Sequence, residues 1–119
     1  MGIDAFKQGH LELLVLLLLQ DSDMHGYDIV TQIDKRSKGI LFVREGSIYP
    51  LLYRLSDSGY ISSYQATVAT KNGRERSRVM YHIENAGLKR LKELRQEFDE
   101  AQRGLANILS YGEGSEDGE

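Results

Sequence analysis

The chain contains no cysteine and no tryptophan, and only one of its 119 residues is proline. Without cysteine there is no disulfide framework, no thiolate metal site and no cysteine nucleophile, a composition that fits a reducing cytoplasm. The lack of tryptophan removes the side chain best suited to stacking on a large planar ligand. Long apolar runs are missing too. The only sustained one, residues 11–19, is interrupted by Glu12 and falls far short of the roughly 20 residues a membrane span needs. Its flanks do not suit a secretion signal, because Lys7 is opposed by Asp4 and no small-residue cleavage pattern follows. Catalytic signatures are also wanting: there is no phosphate loop, nucleophile elbow or catalytic carboxylate motif. His10, His25 and His82 fall in three different elements with no ligand spacing. No enzyme, cofactor, metal site or membrane partner is expected.

What is present is an uneven charge. The net charge of −3 hides a basic middle: residues 1–43 carry four Lys/Arg against six Asp/Glu, residues 44–82 six against three, and residues 83–119 five against nine. A binding footprint follows the local field more than the total. The length suits one domain with a real core.

Residues 9–20 are apolar at nearly every position, so a helix there must be covered all round. A chain this small covers one side, and a second copy is the economical cover for the other. Asp21, Ser22 and Asp23 supply turn and N-cap chemistry for a second helix over about 24–37, with Tyr27, Val30 and Ile33 inward, cations in its last turn and Gly39 closing it. In residues 44–60, REGSIYPLLYRLSDSGY, helical spacing puts Ile48, Leu51, Leu52 and Leu55 on one side. The other side holds Ser47, Pro50, Tyr53 and Arg54, flanked by Tyr49, where a bland solvated helix would show Glu and Lys. This is a candidate reading helix for a groove. Pro50 places its start near Gly46 or Ser47, and Gly59 ends it.

Across residues 62–83 the period becomes two. Asn72 and Gly73 are the preferred pair for a two-residue hairpin turn. The resulting register collects Tyr64, Ala66, Val68, Val79, Tyr81 and Ile83 on one face. Ser63, Gln65, Thr67, Lys71, Arg74, Arg76, Arg78 and His82 collect on the other. The bland reading of the arginines is an edge that discourages sheet pairing. In residues 85–110, Leu91, Leu94, Phe98, Ala101, Leu105 and Ile108 alternate spacings of three and four, a coiled-coil seam long enough that only a second copy could pair with all of it. Gly104 implies a bend or a close helix approach. Three helices, a basic hairpin and a long terminal helix describe a mainly α fold with a β-hairpin: a winged helix-turn-helix plus a long C-terminal dimerisation helix.

HGYDI at 25–29, GSIYPLLYRL at 46–55, GYI at 59–61 and GRERSRVMYHI at 73–83 resemble, in order and spacing, the motifs of the PadR family of bacterial winged-helix transcription regulators. The resemblance covers nearly everything before the acidic end, and GSIYPLLYRL is its specific part. Two departures stand out: Met80 and Tyr81 replace two adjacent tyrosines, and Glu84 replaces the threonine that usually caps the last helix, so the cap passes to Asn85. The resemblance implies a homodimeric, ligand-responsive repressor on a pseudo-palindromic operator. DNA contacts fall at Ser47, Tyr49, Tyr53 and Arg54, and the wing adds Arg74 and Arg76, with Lys71 and Arg78 beside them. Tyr49 is equally a core brace. It further implies a small hydrophobic or aromatic effector held between subunits by the first and last helices, around Leu14, Leu94, Phe98 and Ala101; Phe98 is equally a plain seam residue.

The expected division is a winged helix-turn-helix over 1–83, a dimerisation helix over 84–111 and a disordered acidic tail over 112–119. The expected function is sequence-specific binding of double-stranded DNA by a cytoplasmic homodimer. The alternative is a winged-helix module that binds protein instead, since tyrosine-rich faces also make protein hot spots.

Overall fold

The computed structural model describes residues 2–114. Its core grows from helix α1 (Leu11–Asp21), whose sequence LELLVLLLLQD has almost no polar side to turn outward. Leu11, Val15, Leu16, Leu18 and Leu19 are buried, whereas Leu13, Leu14 and Leu17 are only half-buried. One face of the helix is thus covered by this chain and the other is not. Ahead of it, β1 (Ile3–Asp4) pairs in parallel with β3 (Leu41–Phe42), the stretch that reads from sequence as a plain apolar link. Ala5 is fully buried behind this pair, and the Asp4 carboxylate accepts the Phe6 N–H at 3.0 Å to turn the chain into α1.

Helix α2 (Gly26–Arg36) starts later than its sequence pattern predicts, because Met24–His25 forms strand β2. Its cap is His25, whose Nδ1 accepts the Asp28 N–H at 3.2 Å; residues 21–23 do not cap it. The inward positions are Ile29 and Ile33, with Val30 half-buried, while Tyr27 is 56% exposed rather than inward. Gly39 closes the helix as expected. It takes φ 80°, open to glycine without steric cost, and its N–H reaches the Asp34 carbonyl at 2.8 Å.

Helix α3 (Glu45–Asp57) begins a residue before the predicted range, so Pro50 sits in its second turn and the Gly46 carbonyl receives no N–H from that position. The apolar stripe holds: Ile48, Leu51, Leu52 and Leu55 are all buried. Gly59 at φ 80° turns the chain, and the Tyr60 N–H bonds back to the Leu55 carbonyl at 3.0 Å.

Strands β4 (Ile61–Ala69) and β5 (Glu75–Ile83) pair antiparallel, and β2 joins the other side of β5 to give the order β2-β5-β4. The register differs by one from the sequence expectation. The loop holds three residues, Lys71, Asn72 and Gly73, between Thr70 and Arg74, whose N–H and carbonyl bond at 2.7 Å. Gly73 takes the left-handed conformation at φ 79° that such a bulged turn requires. A one-residue slip exchanges the faces. Arg76 now opposes Val68 and Arg78 opposes Ala66, while Val79 and Tyr81 lie with Ser63 and Gln65. Neither face is cleanly apolar or basic.

Helix α4 (Asn85–Gly114) starts where the Leu88 N–H bonds the Glu84 carbonyl at 3.0 Å. Glu84, not Asn85, therefore occupies the capping position, and its carboxylate accepts the Ser62 hydroxyl. Gly87 lets the helix approach the preceding loop, since a Cβ there would collide with the Tyr60 carbonyl oxygen. The predicted seam divides. Leu91, 3% exposed, is buried in this chain's own core and leaves the seam; Leu94 and Phe98 are half-buried; residues 99–112 are exposed. Among the described residues, a Cβ at Gly104 would meet nothing within 4 Å beyond its own helix backbone. The helix runs past the boundary expected at 111 as far as Gly114, and the remainder of the expected tail, 115–119, lies outside the described residues.

A polar strap ties the hairpin to the loop before β2. Asp23 Oδ1 lies 2.8 Å from His82 Nδ1, and its Oδ2 accepts the Tyr64 hydroxyl. The Tyr64 hydrogen bond and the imidazole hold the Asp23 carboxyl below its usual 3.8; the carboxylate in turn raises His82 above 6.5. The raised imidazole contributes stability fully below pH 6.5 and loses it as pH rises through its folded value. The depressed carboxyl contributes above pH 3.8 and loses it as pH falls through its own. The strap is therefore strongest between those two values. Two outcomes are expected. NMR titration will find His82 protonating above 6.5, and Asp23→Asn will return it towards that value. Gly87→Ala will destabilise the fold by roughly 1 to 3 kcal/mol in urea unfolding, because crowding outweighs the helix preference of alanine.

Candidate nucleic-acid interface

The outward face of α3 exists because its inner stripe is locked. Ile48, Leu52 and Leu55 are completely buried, which fixes the rotation of the helix and with it the direction of every other side chain. Pro50, Tyr53 and Arg54 are exposed, Tyr53 at 60%, and Ser47 is half-buried. Arg54 does not stand free: its guanidinium lies 3.7 Å from Glu12 of α1.

Tyr49, one helical turn before Tyr53, lies on the flank where α3 meets α2 and the hairpin. It is half-buried against the core, and its ring fills the space that a side chain at Gly26 would take: a Cβ there would lie 2.6 Å from the ring. The geometry gives Tyr49 the bracing contact between α2 and α3 that was one of its two sequence readings. Its ring centroid lies 6.5 Å from that of Tyr53. Together with His25, Ser77, Arg78, Val79 and Tyr81 these tyrosines line a notch of about 210 Å³ between α3 and the hairpin. Burial raises the Tyr81 hydroxyl above its usual 10.0, with Tyr53 and Tyr49 adding to the shift, so this phenol faces the notch in its neutral form. Burial also lowers His25, with Arg78 acting the same way against Asp28, which keeps the capping nitrogen unprotonated and able to accept.

The four cations predicted on the hairpin do not form one row. Lys71 is in the turn, Arg74 precedes β5, and Arg76 is exposed on the strand. Arg78 is half-buried, and its Nε is enclosed without a hydrogen-bond partner among the described residues. Arg76 and Arg78 share their face with Tyr64 and Met80, whereas Val79 and Tyr81 turn towards the tyrosines of α3. The exposed tip therefore carries Lys71, Arg74 and Arg76.

The residues predicted around an effector come together around Phe98, though not in one cavity. The Phe98 ring meets His10 edge-on, with centroids 5.4 Å apart. On one side Phe98 shares an open hollow of about 270 Å³ with Leu13, Leu14, Leu17 and Leu41. On the other it shares a hollow of about 220 Å³ with Leu94, Ala101 and Glu12. Leu14 thus lines the first hollow, and Leu94 and Ala101 the second, with Phe98, His10 and Leu13 common to both. Among the described residues, no helix is long and apolar enough to cross a membrane. Sequence reasoning missed Glu12, Asp23 and Arg90 as structural partners. Each meets its counterpart across at least 41 positions, a separation at which no local pattern gives a signal.

Similarity to known proteins agrees with this architecture. Residues 15–93 match the transcriptional regulator PadR-like family. A transcriptional regulator from Clostridium thermocellum has the same fold, with a TM-score of 0.75 over 86% of this chain and 95% of that one at 24% identity. A PadR-like transcriptional regulator from Bacillus cereus is 32% identical, with a TM-score of 0.67 over 86% of this chain and 93% of its own. PadR of Bacillus subtilis, solved in complex with operator DNA, is 26% identical, with a TM-score of 0.60 over 71% of this chain and 45% of that longer one. These relatives are regulators rather than enzymes. With the family match spanning most of its length and the winged helix and long terminal helix in place, the chain belongs to the PadR-like family of transcriptional regulators.

Proposed function

We propose that this chain is a sequence-specific, DNA-binding repressor that acts as a homodimer on a pseudo-palindromic operator and responds to a small hydrophobic or aromatic effector. The observation that carries the reading is the exposed face of α3. It offers Ser47, Pro50, Tyr53 and Arg54 to solvent beside a hairpin tip bearing Lys71, Arg74 and Arg76. A helix of that composition suits base edges and sugars in the major groove, while cations on an adjacent hairpin suit phosphates. The operator complex of the Bacillus subtilis relative supports the same use of the fold. Tyr49 supports the interface from behind, as a brace.

The homodimer is supported by apolar surface that the described residues leave uncovered. Leu105, Ile108, Leu109 and Tyr111 are between 57% and 75% exposed on a helix that leaves the body of the protein. Leu13, Leu14 and Leu17 offer a second open face. Apolar side chains repeated along one helix and left in water are the mark of a partner surface. The effector is placed in the hollows beside Phe98, which such a dimer would close.

Selection of bound fragments from genomic DNA, followed by affinity measurements on the selected duplex, tests the reading directly. Arg54→Ala will cost roughly 1 to 3 kcal/mol on that duplex and relax one base in each half-site. Arg76→Ala will weaken selected and random duplexes alike and reduce the salt slope by about 1. Retention of full affinity by both variants would reassign the interface, and binding insensitive to salt would favour a protein partner. In sedimentation, Ile108→Glu will shift the dimer to monomer with its circular dichroism unchanged, because Ile108 is 74% exposed in the single chain.

A further inference from the structure

Glu12 lies in the first turn of α1, with its side chain 17% exposed and two cations from different helices on it. Oε2 accepts a hydrogen bond from Arg90 Nε of α4 at 3.0 Å, while Oε1 lies 3.7 Å from Arg54 Nη2 of α3. The first contact has hydrogen-bond length; the second is a bare ion pair. One negative charge is thus divided unequally, with the firmer hold given to Arg90. Arg90 also has an anchor of its own. Its Nη1 lies 3.6 Å from Glu93, one turn further along α4, so a second partner travels with it when that helix moves.

We infer that Glu12 is a positioning residue through which the seat of α4 sets the freedom of Arg54 to reach DNA. The inference rests on α3 being the reading helix. With Arg90 seated, the carboxylate is largely neutralised, and the exposed Arg54 is held only loosely. When α4 slides or tilts, Arg90 passes to Glu93, and Glu12 is left partly shielded from water without its hydrogen bond. An uncompensated carboxylate in that position is costly, and Arg54 is the other cation on it among the described residues. The guanidinium is then drawn back towards α1 and away from the groove. Glu12 and Phe98 line the same hollow between α1 and α4. Anything that spreads those helices there therefore acts on α3 through a two-position ion pair rather than through the core.

A double-mutant cycle on the selected duplex decides the matter. Arg90→Gln should lower operator affinity roughly three- to tenfold. The same change in an Arg54→Ala background should do nothing. Glu12→Gln should raise operator affinity and abolish the effect of Arg90→Gln, with random-duplex affinity nearly constant throughout. If Arg90→Gln fails to fold, Arg90→Lys, which keeps the charge and loses the Nε donor, runs the same cycle. An equal loss with and without Arg54 overturns the inference while leaving the DNA-binding reading intact. Absence of DNA binding by the unaltered protein removes both.

Discussion

A helix with leucine at seven of its eleven positions has little surface that water will accept, and α1 imposes that condition on everything around it. Helices α2 and α3, the base of the hairpin and the first turns of α4 each contribute apolar residues to the cluster that encloses Leu11, Val15, Leu16 and Leu19. At roughly 1.5 to 3 kcal/mol for each fully buried large aliphatic side chain, this cluster is the main source of stability. It also determines orientation. Because Ile48, Leu52 and Leu55 have a single place to go, the rotation of α3 is decided by burial, and its polar face is presented without any device of its own.

The same enclosure explains how much could be read from the chain. Helical stripes are local, so Ile48, Leu51, Leu52 and Leu55 were legible, and so was the glycine that ends their helix. The hairpin was legible in kind and not in register. Asn72 and Gly73 suit a two-residue turn whose register would have sorted the strands into an apolar and a basic face, yet the chain adopts the three-residue loop and leaves both faces mixed. Tyr27 shows the limit of a stripe read alone: Ile29 lies inward in its place, since strand β2 absorbs Met24 and His25 and resets where α2 begins. The division of the heptad seam between Leu91, inside, and Leu105 and Ile108, outside, depends on how far the globular body extends along α4. Spacing carries no record of that.

Exposed charge and aromatic surface are distributed differently from the impression given by residue types. Four hairpin cations looked equivalent in sequence, but the fold half-buries Arg78 and leaves the tip to the others. The tyrosines, in turn, join two elements more than they advertise a surface. Tyr49 fills the gap at Gly26, and Tyr81 faces both Tyr49 and Tyr53 across the notch. The hairpin is therefore stitched to the body on both of its faces near the base, through this notch on one and the Asp23 strap on the other, while its far end remains clear of the core.

The close approach at Gly87 makes the start of α4 a pivot, and a pivot at one end of a long rod acts as a lever. In the proposed dimer, with the far half of each rod clasped to its twin, a change of about 5° at Gly87 moves points ~40 Å away by roughly 3.5 Å. That is about one base-pair step along a duplex strand. In that proposed dimer the separation of the two reading helices would depend on one carbonyl oxygen, that of Tyr60, against which the rod is set.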